Sequence, residues 1–159
     1  NSDVIFATAY APTLQNINSY SWTPNVITFN AGEVVKSTSY YVQQLFGANL
    51  GTHVLKTAPA PSASVPLHWV ASHDASNKIV YIKASNTAIT TLTASFALDF
   101  QITGTSTVTL LNAAVATTSN TLANANAFVP QTTNLNVASG ATGFSHTFPT
   151  QSVAVFNLK

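Results

Sequence analysis

Apolar and polar positions alternate through the second half of this chain and do not in the first third. Leu67, Trp69 and Ala71 stand against His68, Val70 and Ser72. Val80, Ile82 and Ala84 share a face, and Phe96, Leu98 and Phe100 share one opposite Ser95, Ala97 and Asp99. Val108 and Leu110, then Phe144, His146 and Phe148, then Ala154, Phe156 and Leu158 continue the pattern. A period of two marks half-buried strands. Short alternating strands broken by turns such as Asp74-Ala-Ser-Asn77 predict a mainly β fold, an antiparallel β-sandwich of jelly-roll or immunoglobulin-like type. Residues 67–159 suffice for such a domain, which needs about 100 residues.

The first third follows other rules. Val4 to Ala9 is a nearly continuous apolar run, which suits a strand buried on both faces or a piece of helix. Tyr10-Ala11-Pro12 ends it. Residues 13–36 read mostly as loop, with Val26-Ile27 and Phe29 as a short strand. Ser37 or Thr38 can cap a helix over Ser39 to Phe46, closed by Gly47 or Gly51. Within it Tyr40 and Gln44, and Tyr41 and Leu45, recur at helical spacing. Thr57 to Pro66 is a Pro/Ser/Ala linker by composition. The expected division is 1–51, a linker over 52–66, and a sandwich over 67–159. Residues 112–127, rich in Ala, Asn and Thr, read as a long loop.

Composition narrows the class. Hydrophobic residues make up 46% of the 159, enough for a core. Charged residues are 6%, against roughly 25% in an average domain. The expected surface is hydroxyl and amide, a habit of secreted proteins, so an extracellular location is expected. No apolar run approaches the ~20 residues of a spanning helix, so no membrane partner is expected. A net charge of +1 with scattered Lys gives no nucleic-acid footprint. The absence of Cys removes disulfides and thiolate chemistry. No basic leader precedes the first apolar run, so no signal peptide is expected within the chain.

Candidate chemistry is sparse. His68, His73 and Asp74 could suggest a metal site, but alternation sets the two histidines on opposite faces and favours ordinary surface and turn roles. His53 and His146 have no partner near in sequence. There is no Gly-x-Ser-x-Gly elbow, Walker loop or dinucleotide fingerprint, and no cofactor or metal is expected. Trp69, Tyr81, Phe96 and Phe100 could form a sugar platform if exposed, but their place in alternating strands predicts core packing.

Several words occur in a telling order: Asn1-Ser-Asp3, Tyr10-Ala-Pro12, Trp22-Thr-Pro-Asn25, Ser37-Thr-Ser-Tyr-Tyr-Val-Gln43 and the weaker Asn120-Thr-Leu-Ala-Asn124. Together they resemble the C-terminal portion of α-L-arabinofuranosidases of glycoside hydrolase family 51, in its fungal and plant branch. The resemblance implies that residues 1–51 are the last strand, loop and helix of a (β/α) catalytic barrel and that the sandwich is the family's C-terminal domain. The family motif carries Glu-Arg just before the position of Asn1, which implies an N-terminus made by a protease of basic specificity. The family cleaves terminal arabinofuranosyl groups with retention, which needs two carboxyl groups about 5–5.5 Å apart. Neither catalytic glutamate of the family matches Glu33, Asp3, Asp74 or Asp99. The chain is therefore expected to be a structural portion of a secreted arabinofuranosidase acting on arabinose-containing plant polysaccharides, inactive alone. Its expected partner is the upstream barrel of the same polypeptide. Trp22 and Asn25 are implied at the rim of the sugar pocket of the whole enzyme, Trp22 by stacking on a sugar face and Asn25 through its amide. The plainer role for Trp22 is packing of its loop. The alternative is a stand-alone carbohydrate-binding sandwich, and a third reading is a hydrolase with an unrecognised site.

Overall fold

A computed structural model describes residues 3–58, 65–113 and 115–159. Asn1 and Ser2 of the first motif, and residues 59–64 of the expected linker, lie outside the described residues. Strands β5 (Leu67–Asp74), β6 (Ile79–Asn86), β8 (Thr107–Asn112) and β11 (Ser152–Leu158) form most of one sheet. Its edges are β4 (His53–Leu55) and β9 (Gln131–Asn134), in the order β4-β5-β6-β11-β8-β9, and every pairing is antiparallel. A second sheet, of β7 (Leu92–Ile102) and β10 (Ala141–Phe148), packs on its inner face. The chain is thus an antiparallel β-sandwich, as the alternation predicts.

The core follows from the period. On β11, Ala154, Phe156 and Leu158 point inward, and each is completely buried. In register beside them stand Ala84, Ile82 and Val80 of β6 and Val108 and Leu110 of β8. Phe96, Phe144, Phe148 and Phe156 fill the space between the sheets, with Phe96 stacked on Phe144 at 4.9 Å. Burying each such ring is worth roughly 1.5–3 kcal/mol. The β7–β10 register shifts between Ala141 and Gly143. There a Cβ on Gly143 would come within 2.5 Å of the Phe96 carbonyl oxygen, so only glycine lets the strands approach.

The N-terminal part forms a small unit of its own. β1 (Leu14–Asn16) pairs parallel with β2 (Ile27–Phe29), and β2 pairs antiparallel with β3 (Val34–Lys36). Only β2 was expected. Helix α1 (Thr38–Ala48) extends the expected one by a residue or two at each end. Ser37 is its cap, the hydroxyl accepting from Tyr40 N–H at 3.2 Å. Neither expected glycine closes it. Gly47 lies within the helix, and the Asn49 side-chain amide takes the Leu45 carbonyl at 2.8 Å. Tyr41 and Leu45 of α1 pack on Leu111 and Val155, which point out of the far face of the six-stranded sheet. The described residues therefore stack as strand–helix unit, six-stranded sheet and two-stranded sheet.

Two expectations need correction. Val4 to Ala9 is not a strand, and these residues are exposed. A strand buried on both faces needs neighbours that take its backbone groups and cover its side chains. None of the described strands pairs with it. The range 52–66 is not linker throughout, because His53–Leu55 forms β4 and joins the sandwich. Three residues with no alternation of their own carry no strand signal, and pairing to β5 supplies the order. Among the described residues no helix is long and apolar enough to cross a membrane.

Candidate functional site

The strand–helix unit carries the least expected surface. Its interior is held by Gln15, Asn25, Val26 and Val35, all buried. Val26 N–H reaches the Pro12 carbonyl at 3.2 Å, Ile27 N–H that of Thr13 at 2.9 Å, and Ser37 N–H that of Val26 at 3.0 Å. These bonds tie the segment before β1 to the hairpin and the helix cap. Around that frame Val4, Ile5, Phe6, Leu14, Tyr20, Trp22 and Val34 are exposed, with Phe6 fully so at 102% and Val4 at 76%. Monomeric proteins rarely expose large apolar surface of this kind.

Trp22 and Asn25 part company. Trp22 is 61% exposed on the loop between β1 and β2, so it does not serve mainly to pack that loop. Asn25 is 6% exposed, and its Oδ1 accepts from the Thr28 hydroxyl at 2.7 Å. Asn25 therefore holds the entry to β2 instead of presenting its carbonyl oxygen beside Trp22. A short polar residue before a strand can serve either purpose in sequence, and only the Thr28 partner separates them.

The acids are dispersed. Glu33 lies in the β2–β3 turn, where its Oε2 accepts from Asn30 Nδ2 at 3.2 Å and Asn30 Oδ1 accepts from Gly32 and Glu33 N–H. Asp74 closes the β5–β6 turn. Hydrogen bonds from the Asn77 side chain, from Asn77 N–H and from Ser76 N–H hold its carboxyl below the usual range. Asp99 is exposed on β7, and Asp3 is exposed before β1. Among the described residues no three His, Asp or Glu side chains gather as a metal cluster.

The four aromatic candidates for a sugar platform are packing residues. Tyr81 is buried, and Trp69, Phe96 and Phe100 pack against the main core. The exposed face of β7–β10 is instead hydroxylic, with Thr93 against Thr147 at 2.9 Å and Ser95 against Ser145 at 2.8 Å. Of the histidines, His68 is in register with Ser85 and His73 with Val80, on opposite faces of β5 as expected. His146 points inward, its ring 4.8 Å from that of Phe148 and 5.0 Å from that of Phe156. Its Nε2 is buried without a partner, and burial pulls its pKa down. A cavity of about 370 Å³ at one end of the sandwich is lined by Thr103, Gly104, Ser106, Asn134 and Leu135 among others and holds no ionisable group.

This β-sandwich chain is similar in architecture to part of solved α-L-arabinofuranosidase chains. It superposes on an arabinose-bound family 51 α-L-arabinofuranosidase, MgGH51, with a TM-score of 0.90 and 34% identity, over 100% of this chain and 25% of that one. It shares the fold of the α-L-arabinofuranosidase from Thermotoga maritima, TM-score 0.74 at 18% identity, over 84% of this chain and 31% of that one. In sequence it is 39% identical over 157 residues to a probable α-L-arabinofuranosidase A of Aspergillus terreus, covering 98% of this chain and 24% of that protein. The model of the α-L-arabinofuranosidase C-terminal domain matches residues 1–152, and the chain belongs to that family. It spans about a quarter of the length of these fungal and arabinose-bound relatives.

Proposed function

We propose that this chain is the C-terminal, non-catalytic portion of a secreted retaining α-L-arabinofuranosidase acting on arabinose-containing plant polysaccharides. Residues 1–51 complete the catalytic barrel of the same polypeptide, and the sandwich buttresses it. The observation that carries this reading is the exposed apolar surface of Val4, Ile5, Phe6, Leu14, Tyr20 and Val34, all in the part assigned to the barrel. Each large side chain of this kind left in water forfeits roughly 1.5–3 kcal/mol, so the set calls for a cover. Dispersal of the acids supports the non-catalytic role, because retention needs a nucleophile and an acid close together. In the whole enzyme Trp22 faces the sugar pocket, and Asn25 acts by fixing the Trp22 loop.

The test compares the 159-residue chain with a longer polypeptide that carries it behind its barrel. The longer protein should release p-nitrophenol from p-nitrophenyl α-L-arabinofuranoside and the homogeneous chain should not. In the longer protein Phe6→Asp should lower the thermal midpoint, and Trp22→Ala should raise KM. Robust hydrolysis by the isolated chain would overturn the reading.

A further inference from the structure

His53 and His73 lie 20 positions apart, yet β4 and β5 bring them into direct register. Residues opposed in an antiparallel pair hold their Cβ atoms about 4.5–5.5 Å apart on one face. Both follow the parity of Leu55 and Ala71, which turn toward the core, so the imidazoles share the inner face at the open end of the sheet. His53 is exposed and His73 half-buried, leaving the pair accessible from solvent.

The surroundings orient one ring. Thr52 Oγ1 lies 2.8 Å from His53 Nδ1 and 3.1 Å from the His73 carbonyl oxygen, and it accepts from Ala75 N–H at 3.3 Å. The hydroxyl has one proton. The arrangement that satisfies every contact gives that proton to the His73 carbonyl, so His53 donates from Nδ1–H. Its Nε2 then carries a free lone pair, on the face that the register gives to His73 as well. Metal-binding histidines are commonly fixed in this way, by a hydrogen bond from the ring nitrogen that does not bind. The backbone is fixed as well. A Cβ on Gly51 would meet the Ser72 side chain at 2.6 Å and His73 N at 2.9 Å, so the chain enters β4 pressed against β5. Thr52 N–H also donates to the His73 carbonyl at 2.8 Å.

We infer that His53 and His73 form a two-imidazole site for a divalent transition ion of the Zn(II), Cu(II) or Ni(II) class. Imidazole suits these ions, and water completes the coordination. The neighbouring Asp74 carboxyl is engaged by its own turn and is not counted as a ligand. The bound ion clips the edge strand β4 to β5, at the point where the strand–helix unit hands over to the sandwich. The inference stands apart from the proposed activity and does not require it.

The test is a titration of the tag-free, longest available polypeptide carrying this chain with Cu(II), read by nitrogen hyperfine structure in its electron paramagnetic resonance spectrum. A parallel thermal scan uses Zn(II). We expect saturable binding that His53→Gln and His73→Gln each weaken by about tenfold or more, while His68→Gln and His146→Gln leave it unchanged. Zn(II) should raise the thermal midpoint of the parent protein and not of His53→Gln. Circular dichroism verifies folding, and His53→Gln, on an exposed edge, carries the test if His73→Gln does not fold. Absence of saturable binding at millimolar ion, or binding that survives both His53→Gln and His73→Gln, would overturn the inference.

Discussion

The ammonium of Lys83 donates to the carbonyl oxygen of Phe46 at 2.8 Å and lies 5.3 Å from the centre of the ring of the same residue. Lys83 stands on the outer face of β6, in register with Val155, and Phe46 lies in the last turn of α1. One cation thus serves the negative end of a helix and stitches that helix to the sheet. Partial burial pulls the Lys83 pKa down, which records the desolvation that the contact costs. Lys83→Ala is predicted to lower stability by about 1–2 kcal/mol, toward the low end for charged hydrogen bonds because the site is partly wet. Urea denaturation checks this, and the loss should be concentrated in amide protection of α1.

Asn120 does the same work for the long loop between β8 and β9. Its Nδ2 donates to the carbonyls of Lys36 at 2.9 Å and Phe128 at 3.0 Å, and its Oδ1 accepts from Phe128 N–H at 2.8 Å. Asn120→Ala leaves those backbone groups without their partner and is predicted to cost about 2–3 kcal/mol. Faster hydrogen exchange at the Phe128 amide, with the β6–β11 amides unaffected, is the expected signature.

His146 sets an acid limit on the sandwich. Its folded pKa lies below the unfolded value because burial disfavours the charged ring. Its contribution is therefore fully present above the unfolded pKa of about 6.5 and is lost as pH falls through the depressed folded value. His146→Leu, which also removes the unpartnered Nε2, should flatten the fall in thermal midpoint between neutral and acid pH. An unchanged slope would show that other groups control it.

Phe156 is completely buried and lies within 6 Å of Phe96, Phe144, Phe148 and His146 by ring centres. Phe156→Ala is predicted to cost about 3–5 kcal/mol through lost transfer and the cavity left behind. Phe156→Leu should cost less, and denaturation midpoints at equal slope would compare the two.

Legibility in the sequence tracked how much each residue's fate depended on near neighbours. Phe96, Leu98 and Phe100 announce their shared face by spacing alone, and β7 obeys. Ser37 announces the helix start because its partner, Tyr40, is three positions on. β4 and β1 stayed hidden, since three-residue strands owe their existence to distant pairing. Val4 to Ala9 misled, because an apolar run states a need for burial without stating where the cover lies. At the candidate site, Trp22 and Asn25 looked alike as loop residues, and the Thr28 hydroxyl separates them. The His53–His73 pairing follows from a register that no local pattern encodes.

The place of β11 in the sheet has a consequence for biosynthesis. It is the last of the eleven strands among the described residues, yet it lies between β6 and β8 and alone of these strands joins them. Until Ser152–Leu158 have left the ribosome, β4-β5-β6 and β8-β9 are separate pieces, each with an open edge. Closure must then wait for contacts far apart along the chain, which are slow to form. A stop codon a few residues before Ser152 would therefore not trim this domain but divide it, and the nascent chain would display two unpaired strands to its neighbours.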